Sequence, residues 1–135
     1  CLSQADKTKV GENLYNRGVM NSVIMAEAIA TAQKLTGKKN VTAEDVQKGF
    51  EALDITEARL KELGLEGFMA PLKLSCSDHS GGNKVYVQQW DGEGWKKITD
   101  WFAPMNDVVR PMLVKAAEEY VSKNQPWPAR PTECK

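Results

Sequence analysis

The chain has 135 residues, enough for one modest domain, and its 18 basic and 18 acidic residues cancel. Such a balance gives no field to concentrate nucleic acid or an anionic membrane, and no block of like charge marks an interaction tail. No apolar run approaches the roughly 20 residues needed to span a bilayer, and the start lacks the basic and apolar regions of a signal peptide.

The first residue is Cys1 and not Met, which suggests a chain processed or excised from something longer. Residues 1 to 12 read as a polar loop. From Asn16 to Leu35, the residues Met20, Val23, Ile24, Ala28, Thr31, Ala32 and Leu35 recur at helical spacing, and Gly37 offers the left-handed stop that ends helices. Thr42 with Glu44 and Asp45 reads as the capped start of a second helix running to about Leu53, with Val46 and Phe50 on its apolar face. Thr56 caps a third, short helix, Glu57 to Leu63, ended by Gly64.

From Met69 the period changes to two. Leu72 and Leu74 predict a strand, Asp78 to Asn83 a turn, and Val85 and Val87 a second strand. Asp91-Gly92-Glu93-Gly94 predicts a tight turn, followed by an extended stretch from Trp95 to Phe102 that Pro104 ends. Val108, Val109, Met112, Leu113, Ala116, Ala117, Tyr120 and Val121 predict a last amphipathic helix. Pro111 belongs in a first turn, so regular helix is expected from about Arg110. The tail from Gln125 to Lys135 contains three prolines and predicts no regular structure.

Catalytic chemistry finds little support. His79 follows Asp78, but adjacent residues of a glycine-rich turn point apart, and no serine stands in a strand-to-helix elbow. No Cys-x-x-Cys pair occurs, so no metal and no cofactor is expected, and the reading is of a protein that is not an enzyme. Tyr15, Asn16, Arg17 and Gly18 stand where a loop becomes a helix. Unpaired amides beside an arginine suit a carboxylate; equally, Asn16 can cap, Arg17 can form an ion pair and Tyr15 can pack. Trp90, Trp95 and Trp101 surround the second turn and either stack on a ligand or cover the hairpin itself. Cys76 and Cys134 can pair, leaving Cys1 odd, or all three can be free thiols. A bond closing a loop of this size contributes about 4 kcal/mol in the chain-entropy view.

Several segments, by order and spacing, carry a family resemblance over nearly the whole chain after residue 10. They are Tyr15-Asn16-Arg17-Gly18 with Ala26-Glu27-Ala28, Gly67-Phe68-Met69-Ala70-Pro71, Ser75-Cys76-Ser77-Asp78-His79, Gln88-Gln89-Trp90-Asp91-Gly92 and Pro131-Thr132-Glu133-Cys134. Together they resemble the C-terminal third of periplasmic solute-binding proteins of branched-chain amino acid ABC transporters. The resemblance implies an α/β fold, a segment of a two-lobed type I periplasmic binding protein with helices, a β-hairpin and crossing strands. Residues 1–103 would belong to the first lobe with its hairpin and crossing strand, and residues 104–135 would lead towards the second.

It also implies a small amino acid or related carboxylate or amide as ligand, a membrane permease and the rest of the polypeptide as partners, a periplasmic location and a signal peptide in the precursor. Tyr15, Asn16, Arg17 and Gly18 become candidate ligand contacts, and the resemblance favours a Cys76–Cys134 disulfide. The alternative is a small, self-contained secreted or cytosolic interaction module.

Overall fold

A computed structural model describes residues 7–82 and 84–126, which divide into two compact units between His79 and Ser80. The boundary expected at 103/104 concerned lobes of a larger protein, a different division. Mixed helices with two small antiparallel sheets make the chain α/β at the coarse level.

In the first unit, α1 (Asn13–Thr36) starts three residues earlier than its periodicity predicts. Glu12 holds the N-cap position without capping the helix through its side chain, which is instead paired to Lys9 at 2.8 Å, so no capping residue announced this start. Gly37 ends the helix at φ 68°, its N–H donating to the Gln33 carbonyl, as a left-handed stop requires. The Gln33 side chain then donates to the Lys39 carbonyl at 2.7 Å, fixing the chain reversal.

Helix α2 (Ala43–Glu51) opens with the expected capping box. Thr42 Oγ1 accepts from the Asp45 amide, and the Asp45 carboxylate accepts from the Thr42 amide at 3.1 Å. Asp45 is buried but also meets Lys38 Nζ at 3.0 Å, so its charge is satisfied on two sides. The helix packs on α1 through its smallest residue. A Cβ added at Gly49 would fall on the Ala28 carbonyl oxygen and lie 2.9 Å from Ala32 Cβ, and both alanines are completely buried.

Short strand β1 (Asp54–Ile55) pairs antiparallel with β2 (Leu72–Lys73), Ile55 opposite Leu72, and the Leu74 amide extends the ladder to the Leu53 carbonyl at 2.9 Å. Between them lies α3 (Glu57–Glu62), capped by Thr56. Leu53, Ile55, Leu60 and Met69 form the buried centre, flanked by Met20, Ile24, Phe50, Leu65, Leu72 and Leu74.

Arg59 of α3 reaches α1 in a two-pronged contact with Glu27, Nε to Oε2 at 3.0 Å and Nη2 to Oε1 at 2.8 Å. Hydrogen bonding from Arg59 holds the Glu27 carboxyl below its ordinary 4.5, and the Thr42 amide, followed by Lys38, holds Asp45 below its ordinary 3.8. A carboxyl that gives up its proton more readily folded than unfolded adds stability above its unfolded pKa and loses it as pH falls through the folded value. Stability is therefore expected to be level near neutrality and to fall below about pH 4.5. Denaturant midpoints measured between pH 7 and 3 check this, and Glu27→Gln should be less stable at pH 7 and lose less on acidification.

In the second unit, β3 (Gln88–Trp90) pairs with β4 (Trp95–Lys97) around the predicted turn, with Trp90 opposite Trp95. Asp91 Oδ1 accepts from the amides of Glu93 and Gly94 at 3.0 and 2.8 Å, and Gly92 takes φ 104°. The pairing continues irregularly, Ile98 donating to Val87 and Val85 exchanging two bonds with Phe102. Helix α4 (Asn106–Lys123) begins ahead of the expected Arg110 and keeps Pro111 inside. The proline costs one bond to the Asp107 carbonyl, two residues beyond the first α-helical bond, from the Val109 amide to the Met105 carbonyl at 2.9 Å. No α4 side chain is buried.

Candidate functional site

The Tyr15–Gly18 group lies within the first two turns of α1. The Asn16 amide is already bonded to the Glu12 carbonyl at 2.9 Å, and its side chain donates to the Gly11 carbonyl at 3.1 Å, tying the helix to the preceding turn. The free amides of the helix start belong to Asn13, Leu14 and Tyr15, ahead of Arg17. Arg17 is exposed, and Tyr15 is half-buried. Tyr15 and Gly18 line an open groove of about 590 Å³ along one face of α1, together with Leu14, Val19, Ser22, Val23 and Ala26. Asn16 and Arg17 are outside its lining.

A second recess, about 520 Å³, lies between α2 and the segment from Leu74 to His79. Ala43, Val46, Phe50 and Leu74 give it an apolar floor, with Gln47, Glu51 and His79 as its polar members. Gln47 donates to Glu51 Oε1 at 3.0 Å, and the exposed His79 has Nε2 3.9 Å from the same oxygen. No sequence signal joined these residues, because His79 is separated from Glu51 by the whole of α3 and β2.

The turn before His79 is closed by Ser75 and Asp78. Their backbones exchange bonds at 3.0 and 3.1 Å, and Ser75 Oγ accepts from the Asp78 amide at 3.0 Å. Cys76 within it is disulfide-bonded. Cys1 and Cys134 lie outside the described residues, and so does the expected Cys76–Cys134 pairing. Among the described residues, no group of three His, Cys, Asp or Glu side chains comes together as a metal site.

The hairpin aromatics pair with one another. Trp90 and Trp95 meet edge to face at 5.6 Å while both remain largely exposed, and Tyr86 and Trp101 meet at 4.5 Å and 89°. Bonds from the Glu93 and Gly94 amides hold the Asp91 carboxyl at the turn below its ordinary range.

No family model matches the chain, and no curated protein does. Among solved structures, the chain is similar to one described as an ABC transporter permease from the Pseudomonas fluorescens group, at 38% identity and a TM-score of 0.80. The likeness covers 94% of this chain and 31% of that one, so the chain spans about a third of the length of the protein it matches.

This corrects the expectation of a periplasmic solute-binding protein. The similar chain is described as a permease, so the solute-binding function, the periplasmic location and a separate permease as partner are all set aside. The self-contained module is not supported either, since nearly all of this chain corresponds to a minor part of a longer one. The physical reason is that the described segments behind the resemblance are scaffold: Tyr15–Gly18 and Ala26–Ala28 lie inside α1, and Gly67–Pro71, Ser75–His79 and Gln88–Gly92 lie in turns, loops and the hairpin. They specify a local fold, and a local fold does not name the component that carries it.

Proposed function

We propose that the chain is a segment of an ABC transporter permease and supplies a charged, water-facing α/β part of it. The observation that carries this reading is the likeness to the solved structure described as such a permease, at 38% identity over 94% of the chain. The composition agrees with a water-facing part, with 27% charged residues. Among the described residues, no helix is long and apolar enough to cross a membrane.

The test is uptake. In cells carrying the full transporter, deletion of residues 13–79 from the polypeptide is expected to abolish ATP-driven uptake of its solute while the other transporter components are still made. Unchanged uptake would overturn the assignment.

Within this reading, Arg17 is the member of the Tyr15–Gly18 group that we propose as a solute contact. It is exposed and has no ion-pair partner among the described residues. Arg17→Ala should raise the KM for uptake of a carboxylate-bearing solute about tenfold, the scale of one lost charge-assisted bond, with little change in melting temperature. An unchanged KM would remove Arg17 from the site.

A further inference from the structure

Helix α1 uses two of its faces within the first unit: Ala28 and Ala32 meet Gly49 of α2, and Met20 and Ile24 meet the buried centre. A third face is the open groove. Its floor is the row Leu14, Gly18, Ser22 and Ala26, and its wall the row Tyr15, Val19 and Val23, each row stepping by four residues. None of these residues is charged. Of its two hydroxyls, Ser22 Oγ donates to the Gly18 carbonyl at 2.9 Å and needs no outside partner, and the other belongs to the half-buried Tyr15. Leu14, at the end of the floor, is 78% exposed.

We propose that this face of α1 receives an apolar helix from the part of the same polypeptide that lies outside these 135 residues. The inference rests on the segment reading above. The similar chain is about three times longer, and this chain superposes on part of it at a TM-score of 0.80. Most of that longer fold therefore has no counterpart here and is available to cover an apolar face. A helix fits better than a strand, because small residues one turn apart let the ridge of a crossing helix enter the row between them. An uncharged groove lined mainly by Leu14, Val19, Val23 and Ala26, with Ser22 internally bonded, asks for apolar side chains.

Thiol labelling of the full polypeptide tests this without reference to transport. Ser22→Cys is expected to react about tenfold or more slowly than Lys34→Cys on an exposed position of the same helix, and the two should react alike once unfolded. Ser22→Trp should lower the melting temperature of the full polypeptide by crowding the contact. Equal labelling of the two cysteines in the folded protein, or an unshifted melt for Ser22→Trp, would overturn the proposal. Protection that vanishes on dilution would assign the face to a second copy and overturn it too. Protection in a polypeptide with no role in uptake would uphold this contact while refuting the transporter assignment.

Discussion

Gly49→Ala is expected to destabilise the protein by about 2 kcal/mol or more, the range for forcing extra carbon into a filled contact. The added methyl group would meet the Ala28 carbonyl oxygen and Ala32 Cβ, one of them rigid backbone and the other a side chain with no rotamer to change. Relief therefore requires α2 to move off α1, which would also loosen the capping box and the Asp45–Lys38 pair beside it. On helix propensity alone, alanine should improve on glycine by up to about 1 kcal/mol. The two arguments thus differ in sign, and a measured denaturant midpoint separates them. Lys48→Ala, at the exposed neighbouring position, should change stability by less than about 0.5 kcal/mol. A stabilised Gly49→Ala would mean that the helices are not in contact there.

Leu53→Ala is expected to cost about 2–5 kcal/mol, enough to unfold a marginal domain. Leu53 is 1% exposed and shares the buried centre with Ile55, Leu60 and Met69. Its carbonyl is held by the Leu74 amide at 2.9 Å, which keeps the backbone in place and prevents collapse around the missing side chain. The cavity would therefore persist, and the cost should fall in the upper part of that range. Leu53→Met, which nearly keeps the volume, should cost less than about 1.5 kcal/mol. Similar losses for the two variants would contradict the assignment of Leu53 to the core.

The parts of this fold that the sequence shows plainly are those in which the signal is local. Thr42 and Thr56 cap helices from their own first turns, Gly37 stops α1 with its own backbone, and the Asp91–Gly94 turn closes on its own amides. Legibility fails where a partner is distant. Strand β1 is two residues long, too short to display alternation, and exists because Leu72 and Lys73 come alongside. Gly49 looks like a weak point in a helix until Ala28 and Ala32 are placed against it. The Glu27–Arg59 contact spans 32 residues, and nothing in either local sequence selects the other. Pro111 misleads in the opposite sense: a local rule moves the start of α4 too late, because the helix forms around Pro111 at the loss of a single backbone bond.

The candidate site was less legible still. The Tyr15–Gly18 segment draws notice through residue types, yet only Tyr15 and Gly18 line the groove, and of their companions there only Val23 belongs to the helical periodicity read from the sequence. The functional reading went astray for a related reason. Scaffold segments such as Gly67–Pro71 and Gln88–Gly92 record how the chain turns and not what it binds, so they pointed to a solute-binding protein where the similar solved chain is described as a permease.

The most direct measurement of the central claim is the size and location of the native polypeptide. An antibody raised against the Glu57–Glu62 segment, used on fractionated cells, should detect a band roughly three times the 15.0 kDa of this chain, sedimenting with membranes. A 15 kDa band remaining in the soluble fraction would contradict it.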